Sequence, residues 1–300
     1  MTAWVGEIAR VNAPAKVNLR LSITGRRSDG YHLLDSLVVP VSLFDGLAVR
    51  ITPSRASSIS LHVDPPAAAP PGAENLAVRA AELFLRRSGI SAAVSIGLSK
   101  RIPLGAGLGG GSSDAAAVLR GLNALRQQPV PAPELMTWGL ELGADVPLFV
   151  FGRPAHMCGI GEILTPWSGA IACPLVIAFP GVGVDTRTVY AKYDDLLTMS
   201  GPPSTIRPLT PGQEPLRSML HNDLEAAAFH VQPALRSLRK RLCALGADGT
   251  SMTGSGSAIF GYWKHWDDAR VAAEQLQRAG VWARVVRALE RVPAVERVVA

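Results

Sequence analysis

Apolar and polar residues alternate through Val94, Ile96 and Leu98 against Ser95, Gly97 and Ser99, which predicts a half-buried strand. A short connection later the period changes. Ala115, Val118, Leu119, Leu122 and Leu125 recur at three- and four-residue spacing, the mark of a helix with one buried face. Ser112, Ser113 and Asp114 each offer an oxygen to cap it. The same reading predicts strands over 8–11, 16–23, 47–51 and 59–63 and a helix over 75–87. In the second half it predicts a strand over 175–178, helices over 222–229, 234–245 and 267–279, and a last strand over 283–288. Residues 65–72 and 202–215, rich in proline, predict irregular connections. Residues 127–133 hold three prolines and cannot form a strand inside a sheet. This mixture predicts an α+β fold with no internal repeat. Its two domains would be residues 1–168 and 169–300, with the boundary in the proline-bearing stretch 166–174.

Composition narrows the class. The chain has 300 residues, 48% of them hydrophobic, enough for a sizeable core. No apolar run approaches the ~18–20 residues that span a bilayer, and the N-terminus lacks the pattern of a secretory signal. Cys158, Cys173 and Cys243 are odd in number and widely spaced, which predicts neither a metal knuckle nor a disulfide framework and points to a reducing cytosol. The net charge of +6 comes mostly from scattered arginines, with only Lys16, Lys100, Lys192, Lys240 and Lys264 as lysines. Without a basic tract, nucleic acid is a poor partner, whereas a polyanionic small molecule suits a mildly positive surface.

The chemistry concentrates in Pro103-Leu104-Gly105-Ala106-Gly107-Leu108-Gly109-Gly110-Gly111-Ser112-Ser113, where five glycines fall in seven positions. A loop of that kind entering a helix presents free N–H groups and the positive dipole end to one point, which is an anion site. A P-loop needs a lysine after its last glycine, and Ser112 stands there. Gly105, Gly107 and Gly110 fit a dinucleotide fingerprint, yet the loop 127–133 replaces the second strand which that fold requires. Elsewhere, Lys16 and Asn18 lie two apart on a predicted strand and share a face; that face is either solvent or a cleft. Asp145, before Val146-Pro147, suits a helix cap or a base for proton transfer. Tyr31 and His32 follow a turn at Asp29-Gly30.

The glycine run, with its preceding proline and following serines, resembles the phosphate loop of the GHMP kinases, small-molecule kinases named for galactose, homoserine, mevalonate and phosphomevalonate. Lys16-Val17-Asn18-Leu19, Asp29-Gly30-Tyr31-His32 and Gly143-Ala144-Asp145-Val146-Pro147 are together similar to the branch of that family that acts on a CDP-linked methylerythritol. The resemblance spans about residues 10–165 and resumes at Pro180-Gly181-Val182 and Thr253-Gly254-Ser255-Gly256. It implies a first domain like one found in a ribosomal protein and a second that is a ferredoxin-like α/β sandwich. It implies ATP as phosphoryl donor with Mg²⁺, whose ligands beyond Ser112 or Ser113 stay open. Asp145 would be the base and Lys16 its partner. Residues Pro103 to Ser113 would hold the ATP phosphates, with Asn75 and Lys100 near the nucleoside. Asn18, Tyr31, His32, Thr186 and Tyr190 would meet the acceptor, Tyr31 and Tyr190 as two faces around cytosine and His32 by hydrogen bonding. The implied partner is a small molecule, not nucleic acid or membrane, and the implied state a monomer or weak homodimer. Another small alcohol as acceptor, or a nucleic-acid-binding module, are the competing readings.

Overall fold

The computed structural model describes residues 7–200 and 215–299; the proline-rich connection expected over 202–215 falls almost wholly outside them. The first half contains β1 (Glu7–Arg26), β2 (His32–Pro53), β3 (Ser58–Asp64), α1 (Leu76–Ser88), β4 (Ala92–Ser99), α2 (Gly110–Ala124), α3 (Ala132–Leu140), α4 (Val146–Phe151), β5 (Ala155–Gly159) and β6 (Ile163–Pro166). The second contains β7 (Leu175–Phe179), α5 (Thr186–Ser200), α6 (Leu216–Met219), β8 (His221–Asn222), α7 (Glu225–Val231), α8 (Ala234–Ala244), β9 (Gly249–Met252), β10 (Ile259–Tyr262), α9 (Trp266–Arg278), β11 (Trp282–Val286) and β12 (Glu296–Val299).

Two sheets result. The larger runs β12-β1-β2-β4-β3, with β5 attached to β2, β6 to β5 and β8 to β1; the smaller runs β11-β7-β10-β9. In the smaller sheet every pairing is antiparallel, and its element sequence strand–helix–strand–strand–helix–strand is the ferredoxin-like arrangement. The change of sheet falls between β6 and β7. The chain then recrosses twice, because β8 pairs with β1 at Arg20 and Leu21 and β12 pairs with β1 over Glu7 to Arg10.

The two strands expected over 8–11 and 16–23 are one. Pro14 lacks the N–H of a regular ladder position, and β1 accommodates it with a register shift between Pro14 and Ala15. The shift divides the strand between two apolar layers. Ala9, Val11 and Ala13 face a core shared with α1 and α2. Ala15, Val17 and Leu19 face a separate layer with Leu175, Ile177 and Phe260 from the other sheet. A third cluster fills the space between the small sheet and α5, α7, α8 and α9. Lys16 and Asn18 are thereby left on the opposite side of β1 from the inter-sheet layer.

Three other expectations are corrected. The helix expected to be capped by Ser112, Ser113 or Asp114 begins earlier, at Gly110, with Gly109 in the left-handed region as its cap residue and no side-chain cap. Only a residue without a Cβ takes that conformation cheaply. The strand expected over 283–288 ends at Val286 and is not the last, because β12 follows; an exposed four-residue edge strand carries little periodic signal. α3, α5 and the β5–β6 hairpin were not predicted at all, and α4 was foreseen only as the helix that Asp145 could cap. Among the described residues no helix is long and apolar enough to cross a membrane.

Candidate functional site

The glycine loop joins β4 to α2 across the top of the larger sheet. Gly105, Gly107 and Gly109 adopt φ of 64°, 73° and 69°. The loop is pinned on both flanks, by Lys16 N donating to Leu108 O (2.9 Å) and Ala258 N to Ala106 O (3.0 Å). A Cβ on Gly107 would stand 2.3 Å from Thr253 O and 2.9 Å from Gly256 O. The second small-residue loop, Thr253 to Gly256, therefore packs directly on the first. In α2 the first intrahelical bond is given by Ser113 N to Gly109 O (2.8 Å), so the N–H groups of Gly110, Gly111 and Ser112 have no partner within the helix. They open onto a recess of about 420 Å³ lined by Leu76, Lys100 and residues 103–112, with Thr186 at its edge.

Beneath the loop lies a buried charge cluster that the sequence reading missed. Lys100 Nζ donates to Asp45 and to Asp114 Oδ2 (2.7 Å). Asp45 Oδ1 also accepts from the backbone N–H of Ile102 at 2.9 Å. This ties the end of β4 to the start of α2. Burial alone would lower the Lys100 pKa; Asp114 and Asp45 outweigh it and raise it. Burial pushes the Asp114 carboxyl up to about 7, against the pull of Lys100 and with the help of Asp45. Lys100 thus reaches the recess with its ammonium already engaged. Asn75 caps α1, accepting from Ala77 N (2.9 Å) while its amide donates to Pro70 O (2.9 Å), so its side chain is committed to the helix start.

On the other side of the loop a cleft of about 720 Å³ holds Lys16, Asn18, Asp145, Tyr31, His32, Thr186 and Tyr190 together. Lys16 is almost wholly buried. Its Nζ donates to Asn18 Oδ1 (2.5 Å) and lies 3.8 Å from Asp145 Oδ2. Burial lowers the Lys16 pKa and Asp145 partly restores it. Asn18 is fixed in turn, its amide donating to Ser36 Oγ (2.8 Å) and its carbonyl accepting from Thr253 Oγ1 (3.2 Å). Asp145 occupies the N-cap position of α4, yet its carboxylate makes no capping bond. Of its two expected uses the cap is absent, and the carboxylate faces the ammonium across the cleft.

At the far end, Tyr31 is 62% exposed. The His32 ring stacks on Tyr190, centroids 4.8 Å apart and planes tilted 31°, and meets Tyr193 edge-on at 6.2 Å. Burial, with Asp145 nearby, raises the Tyr190 pKa well beyond the usual phenol range. His32 Nε2 is 2.8 Å from Asp194 Oδ1, whose other oxygen lies 3.2 Å from Arg26 Nη1. Thr186 Oγ1 is bonded to Ser255 Oγ at 2.9 Å. Asp194 and Arg26 were not singled out in the sequence. Asp194 stands one helical turn after Tyr190 on α5, a spacing that identifies it once that helix is known.

Gly107, Gly109, Ser112 and Thr186 line both the recess and the cleft. The two spaces meet there, with Lys16 and Asp145 at the junction. An anion-binding loop opening beside a carboxylate–ammonium pair suits transfer of a phosphoryl group to a hydroxyl.

Residues 75–153 match the family of GHMP kinases N terminal domains and residues 209–281 that of GHMP kinases C terminal. A curated relative from Thermus thermophilus, 4-diphosphocytidyl-2-C-methyl-D-erythritol kinase, is 45% identical over 274 residues, covering 90% of this chain and 94% of that protein. A crystal structure of 4-(cytidine 5'-diphospho)-2C-methyl-D-erythritol kinase superposes with a TM-score of 0.75 at 42% identity, over 93% of this chain and 99% of the other. Homoserine kinase from Cytophaga hutchinsonii has the same fold, with a TM-score of 0.72 at 18% identity over 99% of both chains.

Proposed function

This chain belongs to the GHMP kinases and, within them, to the 4-diphosphocytidyl-2-C-methyl-D-erythritol kinases, and from that membership we infer how its cleft works. It is a small-molecule kinase that phosphorylates the 2-hydroxyl of 4-diphosphocytidyl-2-C-methyl-D-erythritol with ATP, giving the 2-phosphate and ADP in the non-mevalonate route to isoprenoid precursors. The observation that carries the site assignment is the junction of recess and cleft beside Lys16 and Asp145.

ATP lies with its phosphates on the loop Pro103 to Ser113 and its nucleoside toward Leu76, with Asn75 and Lys100 shaping that end from behind. The unclaimed N–H groups at the start of α2 and the glycine backbone fit phosphate oxygens, since no side chain intervenes. Mg²⁺, when bound beside the loop, would supply charge neutralisation. Ser112, which lines both spaces, is the hydroxyl suited to it, because Ser113 and Asp114 are buried and Asp114 is held by Lys100.

Asp145 accepts the proton of the substrate hydroxyl as its oxygen bonds to phosphorus. Lys16, held by Asn18, orients the hydroxyl and balances charge growing on the transferred group. Burial lowers its pKa, and a buried ammonium acts on neighbouring charge more strongly than one in water. Thr186 lies between the two spaces, and Tyr31, His32 and Tyr190 receive cytosine. We place the domain boundary at 168/169, the enzyme in the cytosol and its working form as a monomer or weak homodimer.

Competition by CMP and CDP tests the acceptor reading. Both should inhibit competitively against the acceptor and leave the KM for ATP unchanged. Failure of either nucleotide to bind would remove the cytosine assignment of Tyr31, His32 and Tyr190.

A further inference from the structure

The chain Arg26–Asp194–His32 does something that stacking does not require. His32 opens β2 with its ring wedged between Tyr190 and Tyr193, and only 11% of its side chain is exposed. Its Nε2 lies 2.8 Å from a carboxylate oxygen, and Arg26 Nη1 approaches that carboxylate's second oxygen at 3.2 Å. An ionised carboxylate can only accept, so the proton of the neutral imidazole belongs on Nε2 and Nδ1 is left as a bare acceptor. Arg26, His32 and Asp194 all line the cleft.

We propose that Asp194 is a positioning residue that fixes the tautomer of His32, and that the acceptor so created selects a base carrying an exocyclic amine over one carrying a carbonyl there. Cytosine presents an N–H donor at that position. Uracil presents a lone pair there, which would face the lone pair of Nδ1. This rests on the cytidine reading above and adds what enforces it. Leaving one such group unsatisfied amounts to about a 10- to 100-fold loss in affinity.

The test is a pair of dissociation constants, for CMP and for UMP, measured by calorimetry on the full chain and on Asp194→Asn, Asp194→Leu and Asp194→Glu. The native protein should favour CMP by at least about tenfold. Asp194→Asn can donate to Nε2 and so move the ring proton to Nδ1; its ratio should fall to one or invert. Asp194→Leu should bring the ratio toward one without inversion, and Asp194→Glu, which keeps an acceptor, should retain a preference for CMP. A residue that merely braced the ring would weaken both nucleotides together and leave the ratio intact, which overturns the proposal. Equal binding of CMP and UMP by the native protein also overturns it while leaving the pyrimidine site standing. If the native protein binds neither nucleotide, the cytidine reading itself fails and the inference goes with it.

Discussion

Asp145 is a carboxylate at a helix start that does not cap the helix, and that choice makes it available for proton transfer. Replacing it by Asn keeps its shape and removes its basicity. Asp145→Asn should lower kcat by about 10²- to 10⁴-fold while ATP binding, measured by calorimetry, changes little. Activity within a few-fold of the native enzyme would contradict the assignment. Nothing in the local sequence separates cap from base, since Asp before Val-Pro suits both. Only the arrival of Lys16 from a distant strand, 3.8 Å away, favours the base. Lys16 and Asn18 were legible as a pair because strand periodicity puts alternate residues on one face. Asp45, Asp114 and Asp194 were not, because their partners come from other elements.

At the scale of elements, the glycine loop performs two tasks that substitution can separate. At Gly107 a Cβ would strike backbone oxygens of the second loop, with φ at +73° besides. Gly107→Ala should therefore destabilise the fold by about 1–3 kcal/mol or more, seen as a lower urea midpoint. At Gly111 the nearest atom to a Cβ is Leu76 Cδ1, at 3.5 Å, an ordinary contact on the recess wall. Gly111→Ala should fold at least as stably, since helical Ala is favoured over Gly, and should lose ATP affinity instead. A Cβ at Gly109 would meet Phe149 Cζ at 3.0 Å and Lys16 Cγ at 3.1 Å, so Gly109→Val would disturb Lys16 before any phosphate.

The charge cluster under this loop has a pH signature. Asp114 is raised from its ordinary 3.8 to about 7, so across that window the folded state binds more proton than the unfolded one. Its contribution to stability is complete below about pH 4 and is lost as pH rises through 7. The melting temperature of the native protein relative to Asp114→Asn should fall between pH 4 and 8; a difference independent of pH would contradict the burial argument. That a glycine loop enters a helix here was legible from the sequence. Its support was not, because Asp45 lies 55 residues from Lys100 and sits in an unmarked Asp-Gly pair.

At the scale of the molecule, the two sheets share an apolar layer in which Leu19, Leu37, Ile177 and Phe260 are fully buried, and β8 and β12 return from the second half to the first sheet. Such a body should unfold as one unit. Phe260→Ala should remove about 3–5 kcal/mol and move a single calorimetric transition; two separable transitions would contradict the shared core. The α+β class and the ferredoxin-like second half were legible from periodicity and resemblance. The return of the C-terminal strand was not, since a pairing between Arg10 and Glu296 leaves no local mark.

This shared core holds the recess and the cleft against each other, so that a phosphoryl group would cross between them onto one particular acceptor. The most direct measurement is ADP release from ATP with 4-diphosphocytidyl-2-C-methyl-D-erythritol, run beside mevalonate, homoserine and a reaction without acceptor. Turnover confined to the cytidine-linked acceptor is the predicted result. Equal turnover with mevalonate or homoserine, or none with any acceptor from folded protein that binds ATP, would contradict it.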